Sequence, residues 1–136
     1  MVTLMGINPL AVLVVAIISI VLGFLWYGPL FGKQWKRLMK FSEKDTKKVK
    51  VRKKSYLFMI LGSLITSFVL AYMVIKFSAN SFLLAADLGF TMWLGFIAPV
   101  MLGSVLWEGK PWSLYFLNVS FQLINLIVMA VVLSAW

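Results

Sequence analysis

Asn118, Gln122 and Asn125 stand at i, i+4 and i+7 in a run without charges, so on an α-helix they share one face. Tyr115, three residues earlier, extends it. Amides and a phenol donate and accept hydrogen bonds. Amides facing hydrocarbon are unfavourable, so this stripe must face protein or water. Two uses follow. One is hydrogen bonding between helices, worth ~0.6 kcal/mol per contact on average. The other is to line a site or path for a small solute.

Asp87 is the acid nearest membrane depth. In a helix starting at Ser81 it lies ~9 Å along the axis, with Thr91 and Gly95 continuing its face at four-residue steps. It reads either as an outer-interface aspartate in a helix's second turn or as a proton- or cation-binding carboxylate facing a bundle. A last group lies at the opposite interface: Lys33 and Trp35 in Gly32-Lys33-Gln34-Trp35, and Glu108, Lys110 and Trp112 in Glu108-Gly109-Lys110-Pro111-Trp112. Glu108 with Lys110 reads as a charge pair at headgroup level, and Lys33 or Arg37 across the pseudo-repeat is another partner open to Glu108. An exposed pair of this kind contributes at most ~1 kcal/mol.

Other chemistry is missing from the sequence. Cysteine and histidine are both absent, which removes disulfides, thiolate nucleophiles and the usual zinc and haem ligands. No GxSxG, HExxH, Walker or GxGxxG pattern occurs. The expectation is a non-enzyme with no cofactor and no metal.

The elements that position these residues follow from composition. Hydrophobic residues make up 62% of the 136, against ~45–50% in a soluble domain, and charged residues only 12%. A globule of this size cannot bury so much apolar surface. Charge-free runs cover Met1–Gly32, Ser55–Ile75, Leu88–Trp107 and Pro111–Trp136. Each is long enough for one crossing by a helix of ~20 residues. The expected fold is an all-α membrane protein: one domain, residues 1–136, of four transmembrane helices in an antiparallel bundle, with spans near 8–30, 55–76, 82–107 and 112–135. Asn8 and Pro9 suit the start of the first span, and Asn80 or Ser81 the start of the third. Gly28-Pro29 is expected to break or kink the first span and Pro99 to kink the third. Ser19 with Gly23, Gly62 with Thr66, Ser63 with Ser67, and Gly95, Pro99 and Gly103 place small residues four apart, a spacing that suits close packing.

Residues 33–54 hold eleven of the thirteen basic residues, so the formal charge of +9 belongs to one loop. Short basic loops stay on the cytoplasmic side, which puts both termini outside. Trp26, Trp35, Trp107 and Trp112 fall near the same interface, where indoles settle. No basic residue precedes Lys33, which argues against a cleavable signal peptide. Phe31, Trp35, Leu38 and Met39 alternate with lysines at helical spacing, the pattern of an amphipathic helix on the membrane surface. Ser42 with Asp45 resembles a capping box. Attraction to anionic lipid is worth ~1 kcal/mol per nearby basic residue. Because the positive-inside rule already accounts for the block, no nucleic-acid partner is expected.

Two short resemblances run through the chain. Leu22-Gly23-Phe24 and Leu94-Gly95-Phe96 are each followed by a proline and then by a Gly-Lys-x-Trp stretch. This pattern reads either as two pseudo-repeated hairpins or as recurrent interface chemistry. The stretches Leu25-Trp26-Tyr27-Gly28-Pro29-Leu30-Phe31-Gly32-Lys33-Gln34-Trp35 and Pro99 through Trp112, together with the Asn-Pro start and the polar last span, resemble an uncharacterised domain-of-unknown-function family of small four-span membrane proteins from bacteria and fungi. The resemblance implies a topology and favours a bacterial inner membrane, and it brings no activity or site residue with it. The expected function is an oligomeric channel or carrier for a small solute or ion. The alternative is a non-catalytic membrane-complex subunit or lipid-binding scaffold.

Overall fold

The computed structural model describes residues 6–38 and 53–136, and every regular element among them is helical. Four helices are long and apolar enough to cross a membrane: Pro9–Leu30, Ser55–Lys76, Phe82–Leu106 and Trp112–Ala135. The shortest has 22 residues, enough for a ~30 Å hydrocarbon core at ~1.5 Å per residue. The chain is an integral membrane protein. The Ser42–Asp45 capping box and most of the basic loop lie outside the described residues.

The helix starts have local causes. Asn8 caps the first span by accepting a hydrogen bond from the Leu10 amide at 2.9 Å, with Pro9 in the first turn, where no donor is needed. The third span is capped by Ser81, whose hydroxyl accepts from the Leu84 amide at 3.2 Å. The two prolines act differently. At Gly28-Pro29 the first span does not end. It widens into a π-helical turn over Trp26–Leu30, and the Phe31 amide reaches back five residues to the Trp26 carbonyl at 2.9 Å. The wider turn accommodates the donor that Pro29 lacks. The third span is segmented into Phe82–Phe96, Ala98–Met101 and Gly103–Leu106. There the Leu102 amide bonds Pro99 O at 3.3 Å, three residues back.

The fourth span is the hub. It buries nine residues, from Leu114 to Leu133, whereas the Phe82–Phe96 segment of the third span buries only Ala85 and Gly89. The core joins Ile7, Val15, Leu70, Val74, Met129 and Ala130. Side chains such as Phe58, Leu83 and Val100 point outward, as a lipid-facing surface requires. Side-chain hydrogen bonds tie spans together, two of them to backbone carbonyls in the core. Ser67 Oγ donates to Val12 O at 2.8 Å, and Trp93 Nε1 donates to Val119 O at 2.7 Å.

Close backbone approach falls on Gly89. A Cβ there would lie 3.0 Å from Leu126 O and from Ile127 Cα. Gly95 and Gly62, which share the four-residue spacing read from the sequence, have nothing within 4 Å of such an atom. Small residues therefore mark contact at Gly89 and open space at Gly62 and Gly95. In the second span, Tyr56 to Leu61 are all exposed, so the start of that span stands away from its neighbours.

Candidate functional site

The gap left by the second span is a cleft of about 490 Å³ between the first, second and fourth spans. Ser19 and Tyr27 line it from the first span, Ser63 and Thr66 from the second, and Gln122 and Asn125 from the fourth. Among the described residues its walls carry no charged side chain. Ile20, Phe24, Met59 and Phe121 supply the apolar part.

An aromatic cluster built from the Leu25–Trp35 motif closes one end of the cleft. Phe121 packs against Tyr27 (centroids 5.4 Å apart, 63°) and Trp26 (6.0 Å), Trp26 against Phe31 (4.5 Å), and Trp35 edge-on to Tyr27 (5.9 Å). The short helix Gly32–Leu38 turns back onto this cluster, and Gly32 is what permits the turn. It is buried, and a Cβ on it would lie 2.7 Å from the Tyr27 carbonyl oxygen. The motif that stood out in sequence is thus a folded corner at the cleft's end.

The amide stripe divides into two pairs. Asn118 accepts a hydrogen bond from the Tyr27 hydroxyl at 2.7 Å. Tyr115 is buried and donates to Ala98 O at 2.7 Å. That carbonyl is left over because Leu102, its ordinary helical donor, bonds Pro99 instead. These two residues are interhelical ties. Gln122 and Asn125 face the cleft. Asn125 is only 5% exposed, and its Oδ1 is buried without a hydrogen-bond partner.

Asp87 and Thr91 do not join the amides. Both are exposed and line a separate cavity of about 500 Å³ beside Met73 of the second span and Phe77 just after it. At the interface group, Lys33 and Glu108 are exposed and Lys110 is half-buried. Gly109 takes φ +69 to turn the chain, and the Lys110 amide donates back to Ser104 O at 3.0 Å. Trp112 stacks edge-on against Tyr115 (5.8 Å, 87°).

Sequence reasoning did not assign Tyr27, Ser19, Ser63 or Thr66 to a site. The serines and Thr66 carried a signal, small polar residues at four-residue spacing, but that spacing looks the same whether a neighbour is present or absent.

Most of the chain takes part in a family match. The family described as "Protein of unknown function (DUF1761)" matches residues 10–134. The chain belongs to this family. No curated protein and no solved structure matches it. Both distinctive motifs, the Leu25–Trp35 corner and the Pro99–Trp112 segment, fall inside the matched region.

Proposed function

We propose that this protein binds a small uncharged solute inside the membrane, in the cleft between the first, second and fourth spans, as the working unit of an oligomeric carrier or channel. The observation that carries this reading is Asn125, a buried amide on the cleft wall whose oxygen has no partner. Leaving such an acceptor unmet costs about 1–3 kcal/mol, which a donor on a bound solute would recover. The hydroxyls of Ser19, Ser63 and Thr66 and the amide of Gln122 stand on the same walls. They can meet a solute's polar groups without desolvating a charge. The volume lies in the ~300–1,000 Å³ range of small-molecule sites, far above the ~30 Å³ share of one water, and so suits an organic solute better than a bare ion. A cleft walled by amides, hydroxyls and apolar groups suits binding better than acid–base catalysis.

Antiparallel spans fit the pairings. Ile7 at the start of the first span meets Val74 near the end of the second and Leu133 near the end of the fourth. With residues 33–54 on the cytoplasmic side of a bacterial inner membrane, both termini lie outside and the lysines meet anionic headgroups. The little-buried third span, with Asp87 and Thr91 on its surface, is the face for a second copy. The scaffold reading draws support from Asn118 and Tyr115, whose hydrogen bonds are structural.

Unfolding in bicelles separates the two readings. Asn125→Leu removes an unmet acceptor and is expected to leave stability unchanged or raise it by about 1 kcal/mol. Asn118→Leu breaks the Tyr27 bond and is expected to lower it by about 0.6–1.7 kcal/mol. Equal losses at both positions would make the whole stripe packing and overturn the binding reading.

A further inference from the structure

The cleft opens on the flank of the protein rather than along its axis. Phe24 and Met59 are 54% and 37% exposed, and Gly62 and Thr66 are exposed as well. All four lie within spans, Phe24 six residues before Leu30 and Gly62 seven after Ser55, so this opening faces hydrocarbon. Toward the basic loop the cleft ends at the Tyr27, Trp26 and Phe121 rings. In the other direction the first and second spans close on each other, with Val12, Val15, Ser67 and Leu70 buried and Ser67 bonded to Val12. A solute arriving from water along the membrane normal meets packed side chains at either end. One already dissolved in the bilayer meets an open side.

We infer that the occupant enters sideways from the lipid, and that it is a neutral amphiphile with a hydroxyl-bearing head and one acyl chain. This rests on the binding reading above and names its ligand class. Each part of the molecule has a counterpart in the cleft. Asn125 Oδ1, buried at the cleft wall, is an acceptor in need of a donor, and a head-group hydroxyl supplies one when the amide turns into the cleft. Ser19, Ser63 and Gln122 meet the remaining head oxygens. Ile20, Phe24 and Met59 run from that polar floor to the open flank and give an acyl chain an apolar bed continuous with the bilayer. The head is neutral because, among the described residues, no charged side chain lines the cleft. A phosphate or carboxylate there would be desolvated without a counter-charge. The basic residues that would attract an anionic head, Lys33 and Arg37, lie beyond the aromatic corner on the Gly32–Leu38 helix.

The test uses the full chain in phosphatidylcholine nanodiscs, with native mass spectrometry as the readout and monooctanoylglycerol, octanoate and glycerol as probes. Monooctanoylglycerol is expected to bind one per protomer, with octanoate and glycerol each at least about tenfold weaker, the ratio expected from losing one good interaction. Asn125→Leu is expected to weaken binding by about tenfold through loss of the acceptor. Gly62→Leu, placed where an added side chain meets open space, is expected to keep the fold and abolish binding by filling the mouth. Glycerol binding as well as its ester, with the same dependence on Asn125, would keep the cleft as a site and overturn the bilayer route. Octanoate binding as well as the ester would overturn the neutral head. Binding that ignores both substitutions would overturn the placement in this cleft. If Asn125→Leu instead destabilises the protein as much as Asn118→Leu, the binding reading beneath this inference falls as well.

Discussion

Gly89 and Gly95 lie six residues apart in the third span, and an alanine at each should have opposite effects. At Gly89 the new Cβ would sit 3.0 Å from Leu126 O and Ile127 Cα and 3.1 Å from Ile127 N, all backbone atoms that cannot rotate away. Comfortable carbon contacts are ~3.5–4.0 Å, so the third and fourth spans must separate by about 0.5–1 Å, a gap that forfeits a quarter to a half of each dispersion contact across it. The same seam carries the Trp93–Val119 hydrogen bond, which must stretch from 2.7 Å. Overpacking of this kind costs about 1–3 kcal/mol. Against it stands a helix-propensity gain for alanine over glycine of up to ~1 kcal/mol, which leaves Gly89→Ala about 0–2 kcal/mol less stable. At Gly95 nothing lies within 4 Å, so only the propensity gain operates and Gly95→Ala is neutral or up to ~1 kcal/mol more stable. The difference of ~2 kcal/mol is roughly thirtyfold in the unfolding constant. Steric-trap unfolding in bicelles measures it directly. A Gly95 variant as destabilised as the Gly89 variant would refute the assignment of the close seam to Gly89.

Three further outcomes follow from the same geometry. A double-mutant cycle on Tyr27→Phe and Asn118→Leu should give a coupling of ~0.6–1.7 kcal/mol in bicelle unfolding, and additive effects would mean that their 2.7 Å bond contributes nothing. Gly32→Ala should release the Gly32–Leu38 helix from the aromatic corner, because its Cβ meets a carbonyl oxygen at 2.7 Å. This should appear as a shift in tryptophan emission with a loss of at least ~1 kcal/mol, whereas Gly28→Ala, with open space around it, should show no emission shift. Since the sequence contains no cysteine, single Lys33→Cys and Lys76→Cys variants are clean reporters. An impermeant maleimide added to right-side-out vesicles should label the second and spare the first, and the reverse pattern would invert the topology.

The sequence by itself determined the membrane class, the four spans and the helix starts. Each of these depends on residues close together in the chain. A run without charges is long enough to cross or it is not, and Asn8 with Pro9 and Ser81 act on amides two or three residues away. It also placed Asn118, Gln122 and Asn125 on one face, since helical periodicity is local. The tertiary structure decided what that face does. Only the approach of Tyr27 makes Asn118 a tie, and only the cleft between the first, second and fourth spans leaves Asn125 on its wall with a buried, unmet oxygen. Asp87 and Thr91 ended in a different cavity, against Met73 and Phe77, because the third span packs on the fourth with its close approach at Gly89 and turns that face away from the amides. Small residues at a repeated spacing allow helices to meet but do not say which neighbour arrives. That depends on how four helices share a limited contact surface, a property of the assembled bundle rather than of any one stretch of chain.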